Sequence, residues 1–236
     1  MSTGSVRDGS GPLWHPSPNF GPRRGGLRPE LVVLHYTGMR SAQAALERLC
    51  DPAAAVSAHY LIGADGRLWQ LVSEEMRAWH AGAGGWRGRA DVNSRSIGIE
   101  LENPGDRPFP APQMQRLEAL LNGVLARWGI PPAGVIGHSD MAPGRKHDPG
   151  PRFDWRGLAR GGLALWPGEA APRPVGDFAR TLDAIGYPAA PEAERLVAFR
   201  ARFQPQAHAA APCVTDADRA MAAAVLAASE SQQGHD

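Results

Sequence analysis

The sequence lacks the features that mark several large functional classes. Only two cysteines, Cys50 and Cys213, occur in 236 residues. That count excludes a disulfide scaffold and a four-cysteine zinc module. The net charge is +1, so there is no electrostatic footprint for nucleic acid or for an anionic membrane surface. No window approaches the about 18 uncharged apolar residues of a membrane span. Residues 1–28, MSTGSVRDGSGPLWHPSPNFGPRRGGLR, lack the apolar core of about 7–15 residues that a secretory signal needs, and no cysteine stands where a lipoprotein signal requires one. These absences predict a cytoplasmic protein with no membrane insertion and no nucleic-acid partner. Glycine clusters such as GAGG do not match a phosphate loop.

Apolar residues make up 43% of the chain, enough for a core. The 28 glycines and 22 prolines predict long loops. Residues 1–28 are rich in Gly, Pro and Ser and read as an irregular segment over the domain. Residues 30–36, ELVVLHY, form a short β-favouring apolar run and predict a buried central strand with a polar C-terminal end. Residues 41–50 carry Ala and Leu at helical spacing, stopped by Pro52. Two β-like runs, 59–62 and 68–72, flank an Asp-Gly turn and predict a hairpin. In SIGIELE, residues 96–102, Ile97, Ile99 and Leu101 alternate with Gly98, Glu100 and Glu102. That period places both glutamates on one face of a strand.

Met114, Leu117, Leu121, Val124 and Trp128 recur at helical spacing before Gly129, and a short strand over 134–138 ends on a histidine. Asp154 is placed to cap another helix. Strands and helices thus intermix over residues 29–166, which predicts an α/β domain with a central mixed β-sheet flanked by helices. A proline-rich linker follows over 167–174. Residues 175–232 then read as a small three-helix C-terminal module, near the lower size limit for independent folding.

Three polar residues at or just beyond predicted strand ends carry the chemical signal: His35, His138 and Asp148. Two imidazoles and a carboxylate suit Zn²⁺, and three protein ligands leave one position open for catalysis. Their separation in sequence is long, so spacing alone does not establish a site.

The strings around them are LVVLHYTG, RAWHAG, SIGIELEN and GHSDMAPGRKHDPGPRFDW. Taken in this order they closely resemble the zinc-dependent N-acetylmuramoyl-L-alanine amidases of the type 2 family, in the AmpD/AmiD-like branch, over residues 16–166. The resemblance implies a type 2 amidase or peptidoglycan-recognition-like fold. Zinc would be held by His35, His138 and Asp148, with Glu100 at the general-base position and Lys146 at that of a cationic catalytic residue. The activity implied is hydrolysis of the amide between N-acetylmuramic acid, or its 1,6-anhydro form, and L-alanine. Its partners would be peptidoglycan fragments or muropeptides. A cytoplasmic address points to wall-turnover fragments in recycling. The alternatives are a lytic amidase acting on intact peptidoglycan and a non-catalytic recognition protein on the same fold.

Other residues carry two readings. Trp79 and His80 lie beside the cleft by resemblance and either stack on the sugar or pack a loop. Asn93 and Arg95 either bind polar groups of the muropeptide or order the loop before SIGIE. His147 neighbours Asp148 and is a second potential metal ligand, but adjacent residues of extended chain point in opposite directions. His59 and Asp140 read as structural, and Glu102 as a rim carboxylate. The strings LDAIGYP and LVAFRARFQP resemble a peptidoglycan-binding-type helical module. They do so with Arg200 where that family usually has Gln, so glycan binding and bracing of the catalytic domain both stand.

Overall fold

The computed structural model describes residues 11–168 and 176–233. In chain order its elements are β1 (Leu13–Trp14), β2 (Phe20–Pro22), β3 (Leu31–Tyr36), α1 (Ala42–Cys50), β4 (Tyr60–Ile62), β5 (Leu68–Gln70), β6 (Met76–Ala78), α2 (Val92–Arg95), β7 (Ser96–Leu101) and α3 (Ala111–Trp128). They continue with β8 (Val135–Gly137), α4 (His138–Met141), α5 (Trp155–Arg160), α6 (Phe178–Ile185), α7 (Glu192–Phe203) and α8 (Asp216–Gln233). Six strands form one mixed sheet in the order β1-β5-β4-β7-β3-β8, and β2 pairs with β6 apart from it.

The apolar run of β3 lies inside this sheet, next to the edge strand β8 and parallel to both β7 and β8. Leu31 to Leu34 are all buried, as a parallel strand covered on both faces requires. Side chains alternate across the strand. Val32 and Leu34 join Ile97, Ile99 and Leu101 of β7 against Leu117 and Leu121 of α3. Leu31 and Val33 face the other way, in a cluster with Ile136, Trp86 and the C-terminal helices. His35, Gly98 and Glu100 follow the parity of this second face. The hairpin between β4 and β5 forms with antiparallel register, Leu61 opposite Trp69. Ser41 caps α1 by accepting from the Ala44 amide at 3.2 Å, and Asp154 caps α5 through the Gly157 amide, each satisfying an orphan helix donor.

Among residues 11–28, where the sequence predicts an irregular segment, two short strands form. β1 adds to the sheet edge beside β5, and β2 pairs with β6. Arg23 anchors this segment, donating to the carbonyls of Glu74, Asn93, Ser94 and Ser96. Strands of two and three residues, one carrying Gly and Pro, have no periodicity to read; their partners hold them. Most of the expected linker, and the ends of the chain, fall outside the described residues.

The three expected helices are present as α6, α7 and α8, and their core is continuous with that of the sheet. Phe178, Leu182, Ile185, Leu196, Phe199 and Phe203 belong to the same cluster as Leu31, Val33 and Ile136. Arg202 of α7 reaches back to β8 and α4. It is ion-paired to Asp140 of α4 at 2.6 Å and donates to the Val135 carbonyl at 3.0 Å, with both charged side chains buried. Tyr187 donates its hydroxyl to the other Asp140 oxygen at 2.7 Å. Arg200, the departure from the module's usual Gln, is buried in a two-pronged pair with Asp218, at 2.8 and 2.7 Å.

Candidate metal centre and active-site cleft

The parallel strands β3 and β7 and the short β8 end at one edge of the sheet, the edge where open α/β sheets bind ligands. His35 ends β3 in register with Glu100 of β7. His138 stands one residue beyond β8, as the first residue of α4. Asp148 comes from the loop after α4, and the Ser139 amide donates to its carbonyl at 2.9 Å. These residues line a cleft of about 380 Å³ together with Tyr36, Trp79, His80, Lys146 and His147.

Three atoms converge in it. His35 Nδ1 and His138 Nδ1 are 2.9 Å apart, and each is 3.0 Å from Asp148 Oδ2. An equilateral triangle of this size cannot hold three hydrogen bonds, since each bond wants an angle above about 150°. His138 Nε2 lies 2.9 Å from the Ala81 carbonyl, which only accepts. The proton of His138 is therefore on Nε2, and its Nδ1 presents a lone pair to the triangle. The Asp148 carboxylate adds negative charge at the same point. Lone pairs from two imidazoles and a carboxylate, packed this closely and buried, fit a metal cation. Among the described residues His35, His138 and Asp148 are the group able to hold one. His147 is exposed and stands outside the triangle.

Electrostatics agree with the geometry. Burial and the neighbouring His138 pull His35 down to about 4, against the attraction of Asp148. Glu100 moves the other way. Burial and the Asp148 charge push it up to about 8, with the Lys146 ammonium opposing. Its Oε2 is buried with no hydrogen-bond partner among the described residues. A buried acceptor left unmatched costs about 1–3 kcal/mol, so this oxygen is placed for a proton or a water in the cleft rather than for stability.

The other candidate residues separate. Trp79 and His80 line the cleft. His80 does not present a free ring to it: its Nδ1 is 3.0 Å from His35 Nε2 and its Nε2 is 3.1 Å from Ser96 Oγ. Asn93 and Arg95 do not line the cleft, and the ligand-binding reading gives way to the loop-ordering one. Asn93 Oδ1 accepts from the amides of His80 and Ala81. Arg95 is buried, ion-paired to Glu30 and bonded to the Arg89 carbonyl at 2.9 Å. His59 is structural, accepting from the Gly98 amide at Nδ1 and facing the Met76 carbonyl through Nε2. Asp140 caps Gly137 as expected, but its pairing with Tyr187 and Arg202 gives no local signal in the sequence. Glu102 lies just past β7 and accepts from the Ala64 amide in the hairpin turn.

Residues 25–151 match the family model for N-acetylmuramoyl-L-alanine amidase, Amidase_2. The chain belongs to that family. The amidase is 38% identical over 213 residues to N-acetylmuramoyl-L-alanine amidase AmiD of Escherichia coli K12, covering 75% of this chain and 76% of that protein. It is 36% identical over 157 residues to 1,6-anhydro-N-acetylmuramyl-L-alanine amidase AmpD of Citrobacter freundii, covering 59% of this chain and 84% of that one. Its structure is similar to that of E. coli AmiD in complex with the substrate anhydro-N-acetylmuramic acid-L-Ala-D-γ-Glu-L-Lys, with TM-score 0.74 and 32% identity over 89% of this chain and 97% of that one. A similar likeness holds to AmpDh3 of Pseudomonas aeruginosa with an anhydromuramic pentapeptide, at TM-score 0.76 and 29% identity over 95% and 97%. Both likenesses run well beyond residue 151, so the C-terminal helices of this amidase belong to the shared architecture. No described helix is long and apolar enough to cross a membrane.

Proposed function

We propose that this amidase hydrolyses the bond between the lactyl group of N-acetylmuramic acid, in its 1,6-anhydro form, and the L-alanine of a stem peptide, with Zn²⁺ held by His35, His138 and Asp148. One observation carries the reading: three lone-pair donors converge within 2.9–3.0 Å of one another, in the same cleft as a carboxyl whose buried oxygen has no partner among the described residues. The nitrogen and oxygen donor set favours zinc among the biological divalent cations. When bound, Zn²⁺ supplies Lewis acidity, which lowers the pKa of water from about 15.7 to roughly 7.

The chain's own residues supply the rest. Glu100 takes the proton of the attacking water and returns it to the alanine nitrogen as the amide breaks, the double duty that hydrolysis of a poor leaving group requires. Its raised carboxyl suits that exchange, because positive charge at the triad opposes the rise and brings its titration back toward neutral pH. Lys146 places its ammonium at the cleft wall, where it stabilises negative charge growing on the carbonyl oxygen; one such partner is worth about 3–4 kcal/mol of barrier. Trp79 forms another part of the wall and offers an apolar face to the sugar.

The names of the relatives and the anhydromuramyl ligands in the two solved complexes support soluble turnover fragments as the substrate. Mass spectrometry of digests of anhydro-muropeptides and of purified sacculi tests this. Free stem peptide from the soluble fragments, abolished by a chelator, is expected. Release from sacculi alone contradicts the substrate, and cleavage of neither by zinc-loaded protein contradicts the activity.

A further inference from the structure

We infer that His80 and Ser96 are positioning residues for the metal centre: a one-directional chain of hydrogen bonds running through them dictates which nitrogen of His35 faces the metal. The inference rests on the metal reading above, and extends it to two residues that touch no reacting atom.

The direction follows from the far end of the chain. The Val92 carbonyl can only accept, and Ser96 Oγ stands 2.6 Å from it, so the Ser96 hydroxyl spends its proton there. Toward His80 Nε2, 3.1 Å away, Ser96 Oγ is then an acceptor, and His80 Nε2 carries the proton. In the neutral ring the proton donated at Nε2 is the only one. His80 Nδ1 must therefore accept, and the proton it accepts across 3.0 Å is that on His35 Nε2. His35 is left with an unprotonated Nδ1, the atom 3.0 Å from Asp148 Oδ2 and 2.9 Å from His138 Nδ1. Four groups in series leave one arrangement of protons.

The motif SIGIE builds this support with strand period. Ser96, Gly98 and Glu100 share one face of β7. Ser96 ends the chain, Glu100 lines the cleft, and Gly98 makes room between them. A Cβ at Gly98 would lie 2.4 Å from the His80 ring, so only glycine leaves room for the ring within reach of His35. Partners of this kind behind a metal-bound imidazole typically contribute 10- to 100-fold in metal affinity.

Competition with a chelator of known zinc affinity, on the full chain, reads the effect without any turnover. Ser96→Ala removes one oxygen and frees His80 to move its proton to Nδ1, where it opposes the His35 proton. The expected loss of zinc affinity is 10- to 100-fold, with the circular dichroism spectrum of the folded protein retained. His80→Leu should lose as much, and His80→Asn, whose Oδ1 can accept near the position of Nδ1, should recover most of it. Long-range ¹H–¹⁵N NMR of the zinc-loaded protein should find the His80 proton on Nε2. Zinc affinity within threefold of wild type in Ser96→Ala, or a His80 proton on Nδ1, overturns the inference. A protein that binds zinc with this proton pattern yet cleaves no muropeptide overturns the proposed function and leaves this inference standing.

Discussion

The sheet edge and the C-terminal helices contribute to the centre in different ways. The edge supplies atoms: His35, Glu100 and His138 arrive there because β3, β7 and β8 run parallel and end together. The helices supply constraint. Arg202 and Tyr187 grip Asp140 two residues after His138, from 62 and 47 positions away in sequence. Reaction chemistry is thus concentrated in short strings of sequence, while the support that fixes those strings comes from distant, bland-looking helices. A module that resembles a wall-binding unit is, in this chain, packed into the same core as the strands.

The largest effect expected separates chemistry from support. Glu100→Gln should lower turnover by about 10²–10⁴ while zinc content and unfolding midpoint hold, measured by metal analysis and calorimetry. Comparable turnover in the variant would remove Glu100 from its role. A stop after residue 168 tests the other half of the comparison. The truncated chain exposes the face formed by Leu31, Val33, Trp86 and Ile136, and should be aggregated or molten by near-ultraviolet circular dichroism. A well-folded, zinc-binding fragment would show that the helices are a separable unit after all.

Arg202→Met is a finer cut. It leaves Asp140 charged and buried without its partner, which should cost about 3–5 kcal/mol in a denaturant titration. Tyr187→Phe removes a single hydroxyl from the same carboxylate and should cost about 1–2 kcal/mol. Equal losses in the two would mean that the ion pair adds nothing beyond one hydrogen bond.

The smallest effect is a pH slope. Burial and the Arg23 charge pull His59 down to about 3, so the folded protein keeps it neutral where the unfolded chain, near 6.5, takes up a proton. The stabilising contribution is complete above pH 6.5 and is lost progressively as pH falls toward 3. Between pH 6 and 4.5 the unfolding free energy of His59→Gln should fall less steeply than that of wild type, by up to about 1.4 kcal/mol per pH unit. Parallel curves would contradict a neutral His59.

Legibility followed the range of the interactions. The period of LVVLHY and SIGIE is a local property: it sets His35 at the C-terminal end of a strand and Glu100 on one strand face with Glu102, and the family resemblance joins the two in one site. The bond from Arg95 to Glu30, 65 positions away, is not local, and a polar residue beside a motif reads the same whether it meets a ligand or is buried in an ion pair. Asn93 is a similar case, its side chain spent on the amides of His80 and Ala81. RAWHAG leaves His80 open as a sugar platform or a loop filler, because nothing in it reveals that Ser96 and His35 lie on either side of the ring. Strands β1 and β2 leave no signal in the sequence because their conformation is imposed by β5 and β6 rather than by their own residues.

The central claim, that one metal held by His35, His138 and Asp148 carries the hydrolysis, is tested most directly by titration. Metal-stripped protein is given increasing zinc, and stem peptide released from an anhydro-muropeptide is counted by mass spectrometry. The account predicts no release at the start, a linear rise, and a break at one zinc per chain, all abolished in Asp148→Ala. Release by the stripped protein, or an unchanged titration in Asp148→Ala, would contradict it.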